Sequence, residues 1–162
     1  MFRKNSVIFT LLLFLGLSSF TLSAQENVVL VYKANNQTTK HVFEHLRRGA
    51  RQLGLNYKIT ALSADKNLSG TTAGVIVLNI SSSGLDPAIQ SFLDRNQTLT
   101  HPIILTLKPG SREYIFSYED ATKTPIGIDT LTAATGWSER NKANQIMHQA
   151  WINKIFELIT KK

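Results

Sequence analysis

The sequence predicts an α/β protein, a three-layer α/β/α sandwich built on a parallel sheet. Three observations carry this. First, Asn27–Tyr32 (NVVLVY), Gly74–Ile80 (GVIVLNI) and Pro102–Leu107 (PIILTL) are continuous apolar, mostly β-branched runs, the pattern of strands covered on both faces. Second, helix-periodic segments alternate with them. Third, the order strand, helix, strand, strand, helix, strand, loop, strand, helix needs crossover helices between parallel neighbours, which places helices on both sides of the sheet.

Each element has its own signal. From Thr39 to Leu53, Val42, Leu46, Gly49, Ala50 and Leu53 recur on one helical face, and Gly54 supplies a stop. Tyr57–Leu62 (YKITAL) alternates, as a strand at an edge or with one exposed side does. Ser81–Gly84 reads as a turn, and Asp86-Pro87 opens a helix running to Asp94, with Asp as N-cap and Pro at its first position. Lys108 to Pro125 is a long loop with a short strand at EYIFSY, and Gly127–Ala133 (GIDTLTA) reads as the sheet's last strand. Ser138 is expected to cap a final helix whose buried side runs through Ile146, Ala150, Asn153 and Phe156–Leu158, widened by Trp151 and Ile155.

The chain has 162 residues, which fits a single domain. A basic start (MFRKNS), the apolar run VIFTLLLFLGLSSF and the small residues of TLSA follow the order of a secretory leader. That run is shorter than the ~20 residues of a membrane span. The expectation is a leader at 1–24, a mature domain at 25–162 without a transmembrane segment, and a location in the periplasm or outside the cell. The chain has no cysteine, which excludes disulfides, thiolate metal sites and lipoprotein acylation. Its formal charge is +7, which favours weak contact with an anionic membrane surface or acidic partners through long-range attraction. No nucleic-acid partner is expected.

In such sheets the ligand site lies beyond the carboxyl ends of the strands, where the winding direction changes. Lys33–Lys40, Ser81–Asp86 and Lys108–Pro125 should meet at that rim. The segments VYKANNQTTK, GVIVLNISSSGLDPAIQSFLDRNQTLTHPIILTLKPGS and GIDTLTAAT, with PAIQSFLD the most telling piece, resemble the flavodoxin-like family. The resemblance covers most of the mature domain. It implies strand order 2-1-3-4-5, FMN at the rim and an electron-transfer role with an unknown redox or protein partner. On this alignment Lys33, Asn35, Asn36, Gln37 and Thr38 occupy the phosphate turn. Ser82, Ser83 and Gly84 approach the ring of the flavin, and Tyr114 or Tyr118 stacks on it.

The chain also departs from the family. Asn36 stands at the turn glycine, where Asn is the next best residue for a left-handed backbone. Lys33 and Ala34 replace the leading hydroxyls. No aromatic follows Ser81, and the charge is basic where electron-carrying flavodoxins are acidic. The alternative is a non-catalytic binding module that kept this fold and lost the flavin.

Sharper motifs are few. His41-Val-Phe-Glu44-His45 matches H-x-x-E-H, which puts two imidazoles on one helix face as in inverted zinc peptidases. No later carboxylate completes a site, and both histidines lie off the apolar stripe, so they are expected to face solvent. There is no G-x-S-x-G, G-x-G-x-x-G or Walker loop. No catalytic residue and no metal ligand is therefore assigned. Asp129 is read as structural, Trp151 as core and Trp137 as a rim residue. Asn36, Asn67, Asn79 and Asn96 each begin an N-x-S/T triplet.

Overall fold

A computed structural model of the chain describes residues 24–99, 101–109, 116–124, 126–134 and 142–161. The elements run β1 (Glu26–Tyr32), α1 (Gln37–Gln52), β2 (Tyr57–Ser63), β3 (Gly74–Ile80), α2 (Pro87–Arg95), β4 (Ile103–Lys108), β5 (Phe116–Glu119), β6 (Asp129–Ala134) and α3 (Lys142–Thr160). They form one six-stranded sheet, ordered β2-β1-β3-β4-β6-β5. Neighbours from β2 to β6 pair in parallel, and β5 pairs antiparallel with β6.

The expected order 2-1-3-4-5 is therefore extended by one strand. The segment foreseen as a short strand in the long loop becomes a hairpin with β6. Its turn is held by Asp120, whose carboxylate accepts from the Thr122 amide at 2.8 Å, and by Thr124, whose hydroxyl donates to the Ile128 carbonyl at 2.9 Å. That is turn chemistry, which favours a hairpin return over a crossover helix. Tyr118 is the β5 residue that packs on the main core, while Phe116 remains exposed.

The continuous apolar strands follow from the layers. Val28, Leu30, Ile76, Leu78, Ile103 and Leu105 face α1 and α3, whereas Val29, Val31, Val75, Val77 and Ile104 face α2. At β6, Leu131 and Ala133 belong to the first face and alternate with Thr130 and Thr132. Fully burying one such aliphatic side chain contributes about 1.5–3 kcal/mol, so the strength of the fold is concentrated in β1, β3 and β4.

α1 and α3 pack closely because Gly49 has no side chain: a Cβ there would lie 2.3 Å from Ile152 Cγ2. Trp151, Ile152, Ile155, Phe156 and Ile159 form the buried side of α3, and Asn153 is exposed. The expected face through Ala150 and Asn153 is thus displaced. Trp151 and Ile155, expected at its margin, are at its centre, because the bulk of Trp151 and Phe156 decides which side turns inward. Between these helices His45 meets His148 edge-on with ring centroids 4.9 Å apart, and Trp151 completes the cluster at 6.1 Å from His148. His45 is accordingly half-buried against a core ring instead of facing solvent. Ser138, Trp137 and the leader through residue 23 lie outside the described residues. Among the described residues no helix is long and apolar enough to cross a membrane.

Candidate functional site

The loops after β1 and β3 meet where the winding changes, between β1 and β3. The first loop turns into α1 through Asn36, the N-cap, whose Oδ1 accepts from the Thr39 amide at 2.9 Å. Asn36 is in extended backbone (φ −107°, ψ −179°). The expectation that it replaces a left-handed glycine is thus corrected. A capping side chain requires a β-region residue at this position, and Asn is among the best of them.

The turn is closed upon itself. The Asn36 amide donates to the Ala34 carbonyl at 3.0 Å, and the Thr39 hydroxyl donates to the same carbonyl at 2.7 Å. Of the donors that a phosphate would use, the Asn36 and Thr39 amides already have internal acceptors. The Gln37 and Thr38 amides remain at the open end of the helix, where first-turn N–H groups have no intrahelical acceptor.

The second loop is fixed by Asn79, which is 1% exposed. Its Nδ2 donates to the Gly84 carbonyl at 3.0 Å and to Thr106 Oγ1 at 3.2 Å, and its Oδ1 accepts from the Asp86 amide at 3.0 Å. Gly84 takes a left-handed backbone (φ 62°), which glycine adopts without strain. The Ser81 hydroxyl donates to the Ser83 carbonyl and accepts from the Ser83 amide. Ser82, Ser83 and Gly84 stay exposed on this rim.

A salt bridge joins the loops. Lys33 Nζ donates to Asp86 Oδ2 at 2.7 Å, while Asp86 Oδ1 accepts from the Ala88 amide at 2.9 Å to cap α2. The Lys33 hydrogen bond, followed by the Ala88 amide, holds the Asp86 carboxyl below the ordinary aspartate range, although burial opposes this. Beside the pair lies a cavity of about 230 Å³. Lys33, Asn36, Thr39 and Asp86 supply its polar wall, and Leu78, Ile80 and Ile89 its apolar wall.

The structure thus brings Lys33, Asn36 and the Ser82–Gly84 loop to one rim. Asn35 and Gln37 are exposed beside it and Thr38 is half-buried. The Gln37 side-chain Nε2 is 2.9 Å from His41 Nε2. Tyr118 stands apart. Its hydroxyl donates to Asp129 Oδ1 at 2.9 Å, and the Lys154 ammonium covers its ring at 4.2 Å. Burial first, then that hydrogen bond, pushes the Tyr118 phenol up to about 12. Asp129 also accepts from the Ala121 amide, so its role is structural. Tyr114 lies outside the described residues.

Asn79 and Asp86 as a pair of loop anchors were missed in the sequence. The available signal was a polar residue inside an apolar strand, which must find partners once buried. It also means that Asn79 has no accessible amide for a glycan. Among the described residues no group of three or more His, Asp or Glu is placed to hold a metal ion.

No protein-family model and no curated protein matches this sequence. Solved structures do. A mutant flavo di-iron protein from Thermotoga maritima aligns over 83% of this chain at 10% identity and TM-score 0.50; the chain spans 36% of that protein's length. A flavodoxin-like domain from Synechococcus sp. aligns over 83% of this chain and 99% of its own, at 13% identity and TM-score 0.49. The chain has a flavodoxin-like fold.

Within the described residues the rim does not fit FMN as it stands. The cavity is smaller than the ~300–1,000 Å³ of ordinary ligand pockets. Two of its phosphate donors are used internally, and an ion pair stands at its edge.

Proposed function

We propose that this protein is an exported, non-catalytic binding module that uses the flavodoxin-like rim for a small ligand in place of a flavin. The observation that carries this reading is the Lys33–Asp86 pair beside a cavity of about 230 Å³. An ammonium and a carboxylate, with Leu78, Ile80 and Ile89 between the loops, complement a small ligand that carries both charges on an apolar body. Export rests on the basic start, the apolar run and the small residues that precede Gln25.

The competing reading, FMN binding with electron transfer, is favoured by the fold and by the Gln37 and Thr38 amides at the start of α1. The flavin would supply the electron chemistry, and the chain its binding and access. Both readings require the Lys33–Asp86 pair to open, and this one also requires the turn to release its internal acceptors. Fold alone does not decide between the two.

The test is backbone-amide NMR of 25–162 titrated separately with leucine, inorganic phosphate and FMN. The binding-module reading expects leucine to move the amides of 33–39 and 81–86 together, with FMN leaving them in place. Saturable shifts with FMN and none with leucine would overturn it.

A further inference from the structure

A second cavity lies at the opposite end of the sheet from the rim. It has a volume of about 590 Å³ and sits where the last turns of α1 meet the start of β2. Its composition is unlike that of the rim. Arg47, Arg51 and Lys58 contribute three cations, and Phe43, Leu55 and Ile59 contribute an apolar floor. Glu44, 3.2 Å from Arg47, is the carboxylate paired with any of the three cations among the described residues; Arg51 and Lys58 have none.

One wall of the site is fixed by ring contacts. The Arg47 guanidinium lies over the Phe43 ring at 5.7 Å, which orients both side chains. Tyr57, which also lines the cavity, stacks on the core residue Phe156 at 5.9 Å with planes 16° apart. Leu53, immediately after α1, is 43% exposed. An apolar floor with unpaired cations at its margin is costly to leave in water on one count and indifferent on the other. A ligand with an aliphatic body and an oxyanion head satisfies both, since burial of the body and charge-assisted hydrogen bonds to the head act together.

We propose that this cavity binds an anionic amphiphile, its phosphate or carboxylate head between Arg51 and Lys58 and its aliphatic part over Phe43, Leu55 and Ile59. The ligand is a free amphiphile or the headgroup region of an anionic lipid surface, and the chemistry is shared. The site is independent of the rim and of whatever the rim binds.

The experiment measures binding of the 25–162 chain to hexyl phosphate, to inorganic phosphate, and to vesicles of phosphatidylcholine with or without phosphatidylglycerol. Hexyl phosphate is expected to bind more tightly than inorganic phosphate and to shift the amides of Arg51, Leu55 and Lys58. Arg51→Gln with Lys58→Gln should weaken it about 30-fold, on the scale of two surface cations. Lys66→Gln with Lys123→Gln, which removes the same charge elsewhere, should leave it unchanged. Co-sedimentation with phosphatidylglycerol vesicles alone would assign the lipid source, and binding of hexyl phosphate without vesicle binding the free one. Equal affinity for hexyl and inorganic phosphate, or equal loss in both double variants, would overturn the proposal.

Discussion

The Lys33 ammonium lies 2.7 Å from the Asp86 carboxylate, tying the loop after β1 to the N-cap of α2 across the switch point of the sheet. Lys33 is 58% exposed and Asp86 16%. The pair is therefore partly screened by water, and its effect falls on loop position more than on stability.

Asp86→Asn isolates that effect, because Asn caps a helix about as well as Asp. The variant should lose no more than about 1 kcal/mol in urea unfolding at neutral pH. The Asp86 carboxyl is depressed in the folded protein, so its stabilisation is present above the ordinary aspartate pKa and is lost as pH falls through the lowered folded value. Wild type and variant should converge in acid. A gap that widens on acidification would contradict the assignment.

Asn79→Ala should cost more, about 2–4 kcal/mol. It removes three hydrogen bonds and leaves the Asp86 amide without its Asn79 acceptor and the Gly84 carbonyl without its Asn79 donor. Hydrogen exchange at 81–86 should accelerate while β1 remains protected. A loss below ~1 kcal/mol would mean that Asn79 does not anchor the loop.

Gly49→Ala sets two effects against each other. Alanine gains about 1 kcal/mol of helix propensity, but its Cβ would meet Ile152 at 2.3 Å, and overpacking costs about 1–3 kcal/mol. The clash should win. Thermal denaturation should show a lower Tm for Gly49→Ala, and the same substitution should cost less in an Ile152→Ala background than in the wild type, although Ile152→Ala is itself destabilising through the cavity it leaves. A higher Tm in the single variant would mean that α3 yields readily.

Tyr118 gives the protein an alkaline limit. Its folded pKa is raised to about 12, so its contribution is complete below the unfolded value of about 10 and is lost as pH rises through the folded one. Tyr118→Phe should flatten stability between those pH values, at a cost at neutral pH of roughly 1 kcal/mol for the Asp129 hydrogen bond. An unchanged alkaline profile would place the titration elsewhere.

The strands were legible because both faces of β1, β3 and β4 are covered, which leaves uninterrupted apolar runs. The α2 start was legible because Asp86-Pro87 states its cap and first position together. β5 was only half legible, since Tyr118 is its single residue packed on the core and an edge strand carries little periodicity. The α3 face was misjudged because apolar residues surround it, so that size and packing against Gly49, not pattern, set its orientation. Of the three loops expected at the rim, those after β1 and β3 lie at the carboxyl ends of their strands, and part of the third falls outside the described residues. The states of the first two were hidden: Asn36 is a cap through a local contact with the Thr39 amide that the family alignment obscured, and whether Lys33 finds a carboxylate depends on a residue 53 positions away.

If the rim takes a small ligand in place of a flavin, as proposed, the protein should not retain FMN. The most direct measurement is the visible spectrum of purified 25–162, mixed with excess FMN and passed through gel filtration. The protein peak should be colourless, with all the flavin in the small-molecule fraction. Flavin absorbance that travels with the protein, and is lost in Lys33→Glu, would contradict it and establish the rim as a flavin site.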